Sequence, residues 1–153
     1  MKRPTIPPPL HIRPIEAADA RPLRHAILRP SQPFEATVYP LDDQPESGHF
    51  GAFLESRLVG VASVYPEAEP GETAPHAWRL RGMATYAEQR GQGIGGALMQ
   101  ACLDHVRAYG GTRLWFNART TAAGFYRRFG FMVKGNVFDI EGIGAHVVME
   151  CDV

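Results

Sequence analysis

A glycine-rich stretch in the middle of the sequence has the composition of an anion-binding loop. Residues 90–96 read RGQGIGG, and an apolar helical repeat begins at Ile94. Glycine lets the backbone come close to a ligand and adopt positive φ. The first turn of a helix also offers unpaired N–H groups and a partial positive charge. The stretch therefore predicts a site for an anion, most naturally a phosphate.

Two common phosphate-binding loops fit this stretch poorly. A P-loop requires Gly-Lys-Ser/Thr, which is absent here. Gly91, Gly93 and Gly96 match the dinucleotide fingerprint in form, but residues 86–90 separate the preceding strand from the first glycine. The next strand also ends at residues 117–119 without the acid that would hold a ribose. A nucleotide-binding α/β protein stays an alternative, which thermal shifts with NAD but not with CoA would favour.

Two sequence blocks resemble those of a known enzyme family. Residues 90–95 are similar to the Arg/Gln-x-x-Gly-x-Gly/Ala signature of GNAT-type N-acetyltransferases, which cradles the pyrophosphate of acetyl-CoA. Residues 117–131 resemble that family's Asn…Ala-x-x-Phe-Tyr-x-x-x-Gly-Phe block, with Tyr126 at the tyrosine. The tail, residues 138–149, resembles a small bacterial subgroup with a Gly-Ile-x-x-His-x-x-Met strand, although Ala145 stands where proline often precedes the histidine.

The resemblance implies the GNAT fold, an α/β (α+β) single domain. We expect a central mixed, mostly antiparallel sheet that is flanked by helices and splayed between the strands Ala77–Thr85 and Thr112–Asn117. The domain should cover residues 10–153 and follow a Pro-rich N-terminal arm at residues 1–9.

The resemblance also implies an activity, the transfer of an acetyl group from acetyl-CoA to a primary amine by direct attack. The backbone of Met83 and Thr85 would pair with the pantetheine arm, and the N–H of Met83 could donate to the developing oxyanion. Tyr126 would act as general acid toward the departing thiolate. Asn117 lies two residues farther from this tyrosine than in many members of the family. The residues expected to bind acetyl-CoA are Met83, Thr85, Arg90, Gly91, Gln92, Gly93, Ile94, Gly95, Gly96, Asn117 and Tyr126.

Tyr126 has an alternative interpretation as part of an aromatic core stripe with Phe125 and Phe129. If those two side chains face inward, their neighbour at Tyr126 should point to another side of the helix. A non-catalytic acyl-CoA-binding or sensor domain on the same fold is therefore the main functional alternative.

Candidates for the general base lie on the last pair of strands. A lysine-like amine costs about 4.6 kcal/mol to deprotonate at pH 7, whereas an α-amine costs only about 1 kcal/mol. A lysine-like acceptor would thus gain more from a base, for which His146 and Glu141 are candidates. A structural histidine within a Val-Val-Met strand is an equal alternative for His146. Arg81, on the same strand face as Met83, could bind a carboxylate of the acceptor or pair with an acid.

Composition and charge limit the other possibilities. The 153 residues have a formal net charge of zero, which argues against nonspecific nucleic-acid binding. The formal charge is −3 over residues 1–78, +6 over 79–128 and −3 over 129–153, so the glycine loop lies in the basic part. The histidines lack the paired spacing of metal ligands, and Cys102 and Cys151 read as reduced thiols. With no apolar span and no secretory signal recognised, we expect a cytoplasmic protein that needs no metal and binds no membrane.

The acceptor itself is not specified by the sequence. Two loops, residues 29–48 and 66–75, are expected to shape its pocket. Their acidic side chains suggest an amine-bearing small molecule or peptide, and small enzymes of this class often form homodimers. These acids are Asp42, Asp43, Glu46, Glu67, Glu69 and Glu72.

The predicted order of elements is β-α-loop-ββ-β-α-β-α-β-β. Asp19 is expected to cap the first helix, and Thr120 or Thr121 to cap a helix that ends at Phe129. Gly110 and its neighbour should end the long helix after the glycine loop. Strand residues 49–55 and 58–65 should form a hairpin, and the last two strands should meet at a turn around residues 141–144.

Overall fold

The structure, a computed structural model, describes residues 9–153. Of the predicted N-terminal arm, everything except Pro9 lies outside the described residues, and the division into arm and domain stays a prediction. Short turns of π-helix at Arg24–Leu28 and of 3-10 helix at Phe34–Thr37, Ala87–Gln89 and Thr120–Ala122 join the main elements. The main elements are β1 Leu10–Pro14, α1 Ala17–Leu23, β2 Gly48–Leu54, β3 Arg57–Pro66, β4 Ala77–Thr85, α2 Ile94–Ala108, β5 Arg113–Arg119, α3 Ala123–Arg127, β6 Met132–Ile140 and β7 Gly144–Asp152.

The strands of the described residues form one mixed sheet in the order β1-β2-β3-β4-β5-β7-β6. β1 pairs antiparallel with β2, and β7 pairs antiparallel with both β5 and β6. β4 and β5 are parallel, and their ladder joins three residue pairs, from Ala77↔Arg113 to Arg79↔Trp115. A parallel ladder this short at the head of two longer strands fits a sheet that splays. The predicted α/β architecture is confirmed.

The chain divides into two compact units. The first contains the described residues up to Ser63 together with Gly82–Cys102. Its core includes Ala20, Leu23, Val61 and Ala84, against which Ile15, Ile27, Leu28, Leu58 and Tyr86 pack. This unit contains the glycine-rich loop.

The second unit consists of Val64–Arg81 and Leu103–Val153. Its strands β5 and β7 bury apolar side chains, since Trp115, Leu114 and Met149 are almost completely shielded from solvent. This unit contains Tyr126 and the last pair of strands.

The start of α1 differs from the prediction. Asp19 is not the N-cap residue but the third residue of the helix, where its side chain accepts a hydrogen bond from the backbone N–H of Glu16 at 3.0 Å. Glu16 takes the capping position and completes a capping box. Pro22 then lies inside the helix and not in its first turn. The helix changes to π geometry at Arg24, two residues later.

The helix before β6 is also shorter than predicted. Neither Thr120 nor Thr121 caps α3, which follows a 3-10 turn, begins at Ala123 and has no side-chain cap. It ends at Arg127, two residues before Phe129. Gly130 follows with a left-handed φ of 92°, and its N–H donates to the carbonyl of Arg127 at 3.0 Å.

The end of α2 and the last hairpin follow the prediction. Gly110 has φ of 76°, and its N–H donates to the carbonyl of Arg107 at 3.0 Å. The N–H of Gly111 donates to the carbonyl of Val106 at 2.8 Å, which completes a Schellman motif. The turn between β6 and β7 spans residues 141–143.

Candidate functional site

The glycine-rich loop leads directly into the first turn of α2. The first hydrogen bond of the helix runs from the N–H of Ala97 to the carbonyl of Gly93 at 3.1 Å. The N–H groups of Ile94, Gly95 and Gly96 precede that bond, so they have no carbonyl partner within the helix. These three donors can serve an anion at the helix start.

Two residues of the loop adopt a left-handed backbone. Gly91 has φ of 80° and Gly93 has φ of 77°. No described heavy atom lies within 4 Å of the position that a Cβ would take at either residue, and Arg90 and Gln92 are exposed as well. Glycine is therefore required here by backbone conformation and not by lack of space.

The loop is fixed by the first apolar residue of α2. Ile94 is buried, and its Cγ2 atom lies 3.0 Å from the position of a Cβ on Gly60 in β3. The Oγ1 atom of Thr85 lies 3.2 Å from the same position. The side chains of Ile94 and Thr85 are thus directed at β3, and ligand contacts from these residues would come from the backbone, as expected.

The surroundings of the loop favour an anion. The first turn of α2 carries no acidic side chain. Glu88, the acid nearest in sequence, pairs with Arg57 at 3.5 Å, and both side chains are exposed. The dipole of α2 and the exposed Arg90 leave this helix start electropositive.

A network of buried polar groups lies within the first unit, and no sequence pattern predicted it. Arg24 is completely buried in the π-helical turn and binds both carboxylate oxygens of Asp42, at 2.9 and 3.1 Å. The same two nitrogens of Arg24 each donate once more. Nη2 donates to Ser63 Oγ at 2.9 Å, and Nη1 donates to the carbonyl of Thr37 at 2.8 Å. The bidentate geometry neutralises the buried carboxylate. Asp42 therefore cannot attract an amine from solvent, contrary to the expectation for this acid.

His49 completes this network in its neutral form. Its Nε2 lies 2.9 Å from the carbonyl oxygen of Asp42, so this nitrogen carries the proton and donates. Its Nδ1 lies 2.7 Å from Ser63 Oγ and accepts from that hydroxyl. Burial lowers the pKa of His49, and the charge of Arg24 acts in the same direction.

Gly82 in β4 lies against the same network. Its φ is 66°, so the strand departs from extended geometry at this residue. A Cβ at Gly82 would lie 3.1 Å from Nε of Arg24 and 3.1 Å from Cε2 of Tyr39. Met83, the expected oxyanion donor, follows immediately.

Tyr126 lies in an aromatic cluster of the second unit. Its ring centroid is 4.4 Å from that of Phe116, 5.1 Å from that of Phe125 and 6.5 Å from that of Phe131. Phe116 and Phe131 are buried, whereas Phe125 and Phe129 are only partly so. The expectation that Tyr126 would point away from its aromatic neighbours was therefore wrong. Burial raises the pKa of this phenol, which keeps it protonated at neutral pH.

The two candidate bases lie apart, because His146 is on β7 and Glu141 is in the turn between β6 and β7. His146 is buried, and its Nδ1 lies 2.7 Å from the carbonyl oxygen of Gly144, to which it donates. This bond leaves the lone pair of the neutral ring on Nε2. Glu141 is exposed in the turn, three residues beyond Phe138, the cross-strand partner of His146. At about 3.3 Å per residue the two groups are too far apart to act as a pair.

Asn117 and Arg81 occupy half-buried strand positions in the second unit. Asn117 lies on β5, opposite Val148 of β7. Arg81 is half-buried on β4. Arg79, two residues earlier, is engaged with Glu67 at 3.4 Å and lies over the ring of Trp115 at 4.8 Å. Arg79 is thus held within the second unit.

The acids of the 66–75 loop are also engaged. Nζ of Lys134 lies 2.9 Å from Glu69 and 2.7 Å from Glu72, and 3.7 Å from Glu150 of β7. The hydrogen bonds that Lys134 donates to Glu72 and Glu69 raise its pKa. One ammonium does not neutralise three carboxylates, so these acids are engaged but keep a net negative charge, and their attraction for an amine stays a prediction.

The described residues contain neither a metal-binding cluster nor a helix that could span a membrane. Within residues 9–153, no three His, Cys, Asp or Glu side chains come together as a metal-binding group. Cys102 and Cys151 are free thiols. None of the helices described is long and apolar enough to cross a membrane.

Comparison with known proteins agrees with the geometry of the loop. The acetyltransferase (GNAT) family model matches residues 16–131. The chain is 38% identical over 140 residues to the uncharacterized N-acetyltransferase YitI of Bacillus subtilis (strain 168), covering 92% of this chain and 94% of that protein.

Solved structures share the fold at lower sequence identity. An acyl-CoA N-acyltransferase from Pseudomonas aeruginosa has a TM-score of 0.72 at 21% identity, covering 93% of this chain and 99% of the other. Ard1 from Thermoplasma volcanium has a TM-score of 0.76 at 19% identity, covering 94% and 97%. With the family model matching most of its length, the chain belongs to the GNAT family of acetyltransferases.

Proposed function

We propose that this acetyltransferase binds acetyl-CoA through the start of α2 and transfers the acetyl group to a primary amine by direct attack. The observation that carries the proposal is the row of N–H donors at Ile94, Gly95 and Gly96, preceded by left-handed Gly91 and Gly93. Such a row suits the pyrophosphate of the coenzyme. The family match leaves the dinucleotide-binding alternative without support.

Acetyl-CoA supplies an activated thioester, and the chain must hold it and stabilise its developing charge. We assign Met83 and Thr85 to the pantetheine arm through their backbone, with the N–H of Met83 donating to the oxyanion. A preorganised donor of this kind contributes about 3 kcal/mol to the transition state. Asn117 keeps its proposed place among the coenzyme-binding residues on the strength of the sequence block.

Tyr126 is proposed as the general acid. A thiol has an ordinary pKa of about 8.5 and a phenol one of about 10, so full proton transfer to the thiolate is uphill by about 2 kcal/mol. The raised pKa of Tyr126 adds to that cost. The phenol therefore acts best by donating a hydrogen bond that strengthens as negative charge forms on the sulfur.

His146 is the better candidate for the base. Its Nδ1–H is committed to the carbonyl of Gly144, so Nε2 is the atom that would accept a proton from the amine. Glu141, in the exposed turn, is the second candidate. His146→Gln should lower kcat for a lysine-like acceptor by about 10²-fold or more, while Glu141→Gln should leave it unchanged. The opposite result would assign the base to Glu141.

The acceptor is proposed to be a small molecule or peptide with a primary amine, and Arg81 to bind its carboxylate. The test compares an amino acid with its amide as acceptors for the wild type and for Arg81→Met. A loss of preference for the carboxylate in the variant would support this role, and an unchanged preference would refute it. A homodimer stays a prediction, which light scattering at several concentrations would decide.

The central experiment follows CoA release from acetyl-CoA across a panel of amines. Tyr126→Phe is expected to lower kcat by about 10²-fold or more under chemistry-limited conditions. Tyr109→Phe, at an exposed tyrosine in the turn that follows α2, is the matched control. Undiminished turnover in Tyr126→Phe would remove the proposed acid. Tight CoA binding without thiol release for any amine would instead favour an acyl-CoA sensor.

A further inference from the structure

Gly82, the left-handed residue of β4, is contacted on one side by the stacked side chains of Arg24 and Tyr39. Arg24 Cζ lies 4.1 Å from the centroid of the Tyr39 ring. Atoms of both side chains lie 3.1 Å from the position that a Cβ would take on Gly82. This separation is shorter than ordinary van der Waals contact, so the absence of a side chain at Gly82 is what allows the pair to approach the strand.

The stacked pair is itself held in a single arrangement. Arg24 has no solvent exposure and binds the carboxylate of Asp42 with both terminal nitrogens. Ser63 accepts a further hydrogen bond from Arg24. The backbone N–H of Tyr39 donates to the same Asp42 carboxylate at 3.0 Å, so the ring and the guanidinium share one anchor. Multiple bonds to one buried carboxylate leave the pair little freedom to move.

The backbone amide next to this support is the one to which the proposed function assigns charge stabilisation. The N–H of Met83 belongs to the peptide unit that begins at Gly82, and its direction depends on the backbone angles of Gly82. A left-handed glycine without a support could adopt several orientations of that peptide. Oxyanion donors are effective only when their direction is fixed in advance.

We propose that Arg24 and Tyr39 are positioning residues for acetyl transfer, which fix the Gly82–Met83 peptide so that the N–H of Met83 is directed at the thioester oxygen. The inference rests on the proposed function, because it assumes acetyl-CoA beside Met83. It adds two buried residues of the first unit that do not themselves touch the coenzyme.

Tyr39→Leu is the informative variant. It removes the ring from Gly82 but leaves the Arg24–Asp42 ion pair intact, whereas removal of Arg24 would leave a buried carboxylate unpaired. If the N–H of Met83 is misdirected in Tyr39→Leu, kcat should fall by about 10- to 100-fold, with a smaller change in the KM for acetyl-CoA. Tyr39→Phe keeps the ring and should restore kcat. Leu103→Ala, a core truncation in the second unit, controls for reduced stability.

The direct measurement is isotope-edited infrared difference spectroscopy with acetyl-CoA labelled with ¹³C at the carbonyl. A hydrogen bond lowers the stretching frequency of the thioester carbonyl, so the bound wild type should absorb below the free coenzyme. In Tyr39→Leu the band should move back toward the free value, and in Tyr39→Phe and Leu103→Ala it should not. If Tyr39→Leu does not fold, Arg24→Lys takes its place, since it keeps the charge beside Asp42 but loses the planar face.

The outcomes separate this inference from the function on which it rests. Failure of the wild type to bind acetyl-CoA by calorimetry would reject the proposed function itself. Binding without a carbonyl shift in the wild type would overturn the positioning role, while coenzyme binding stands. An unchanged band and unchanged kcat in Tyr39→Leu would overturn it equally.

Discussion

Replacing Gly93 by alanine tests whether the left-handed loop backbone is needed for coenzyme binding. Gly93 has φ of 77°, and the added Cβ would have nothing within 4 Å. The penalty is therefore conformational strain, about 1–2 kcal/mol for a non-glycine residue in this region. Alanine also restricts the unfolded chain, which returns about 0.4–1 kcal/mol. The net loss in the free energy of unfolding should be about 0–1.6 kcal/mol.

The larger effect is expected in binding. If the loop relieves 1–2 kcal/mol of strain by leaving the left-handed conformation, the binding-competent state becomes about 5- to 30-fold rarer. The Kd for CoA, measured by titration calorimetry, should rise by a similar factor. Gly124→Ala is the matched control, because a Cβ on Gly124 would also meet open space, whereas Gly124 lies within α3 and has no left-handed φ. This substitution within α3 should raise the melting temperature.

The result that refutes the reasoning is specific. If Gly93→Ala binds CoA within about twofold of the wild type and melts higher, as Gly124→Ala should, then the left-handed conformation at Gly93 is not required. Weaker binding in both alanine variants would instead point to a general effect of the substitution.

Three further predictions concern groups outside the loop. Asp42→Ala leaves Arg24 buried without its carboxylate and should lower the free energy of unfolding, measured by chemical denaturation, by about 3–5 kcal/mol. The exposed control Asp43→Ala should change it by no more than about 0.5 kcal/mol. Similar losses in the two variants would contradict the buried ion pair. Because the folded pKa of His49 lies below its unfolded value of 6.5, its contribution to stability should be present above that pH and be lost as the pH falls toward the folded pKa. Unfolding curves from pH 8 to 5 should show a shallower decline in His49→Gln, and parallel slopes would count against the assignment. Burial raises the pKa of Cys151 to about 11. At pH 7.5 the thiol of the folded protein should therefore react with iodoacetamide about 100-fold more slowly than that of the protein unfolded in urea. Equal rates would show an accessible thiolate in the folded protein.

The elements that the sequence predicted well are those whose pattern is local. β4 was predicted with the bounds that the structure has, Ala77–Thr85, because its alternation of apolar and polar residues is regular. The start and end of α2 were also correct, since glycines mark both. The cap residues were wrong at Asp19 and Thr120, because several polar residues stand near each helix start and tertiary packing decides among them.

The buried network could not be inferred from such local patterns. Arg24 is separated in sequence by 18 residues from Asp42 and by 39 from Ser63. An arginine in an amphipathic helix ordinarily indicates a solvent-exposed face. The contact between Tyr126 and Phe116 was missed for a related reason: Phe116 lies on β5, and spacing within one helix contains no information about a residue of a strand.

The three carboxylates around Lys134 have a consequence for an enzyme that handles activated acyl groups. Apart from Lys2, Lys134 is the only lysine in the sequence, and arginine supplies the other basic side chains. An ammonium group is not nucleophilic, and the hydrogen bonds that Lys134 donates to Glu72 and Glu69 keep this amine in that form. Within residues 9–153 the one lysine is thus held in its unreactive form, so an acyl donor bound as proposed would meet no nucleophilic lysine of the described chain.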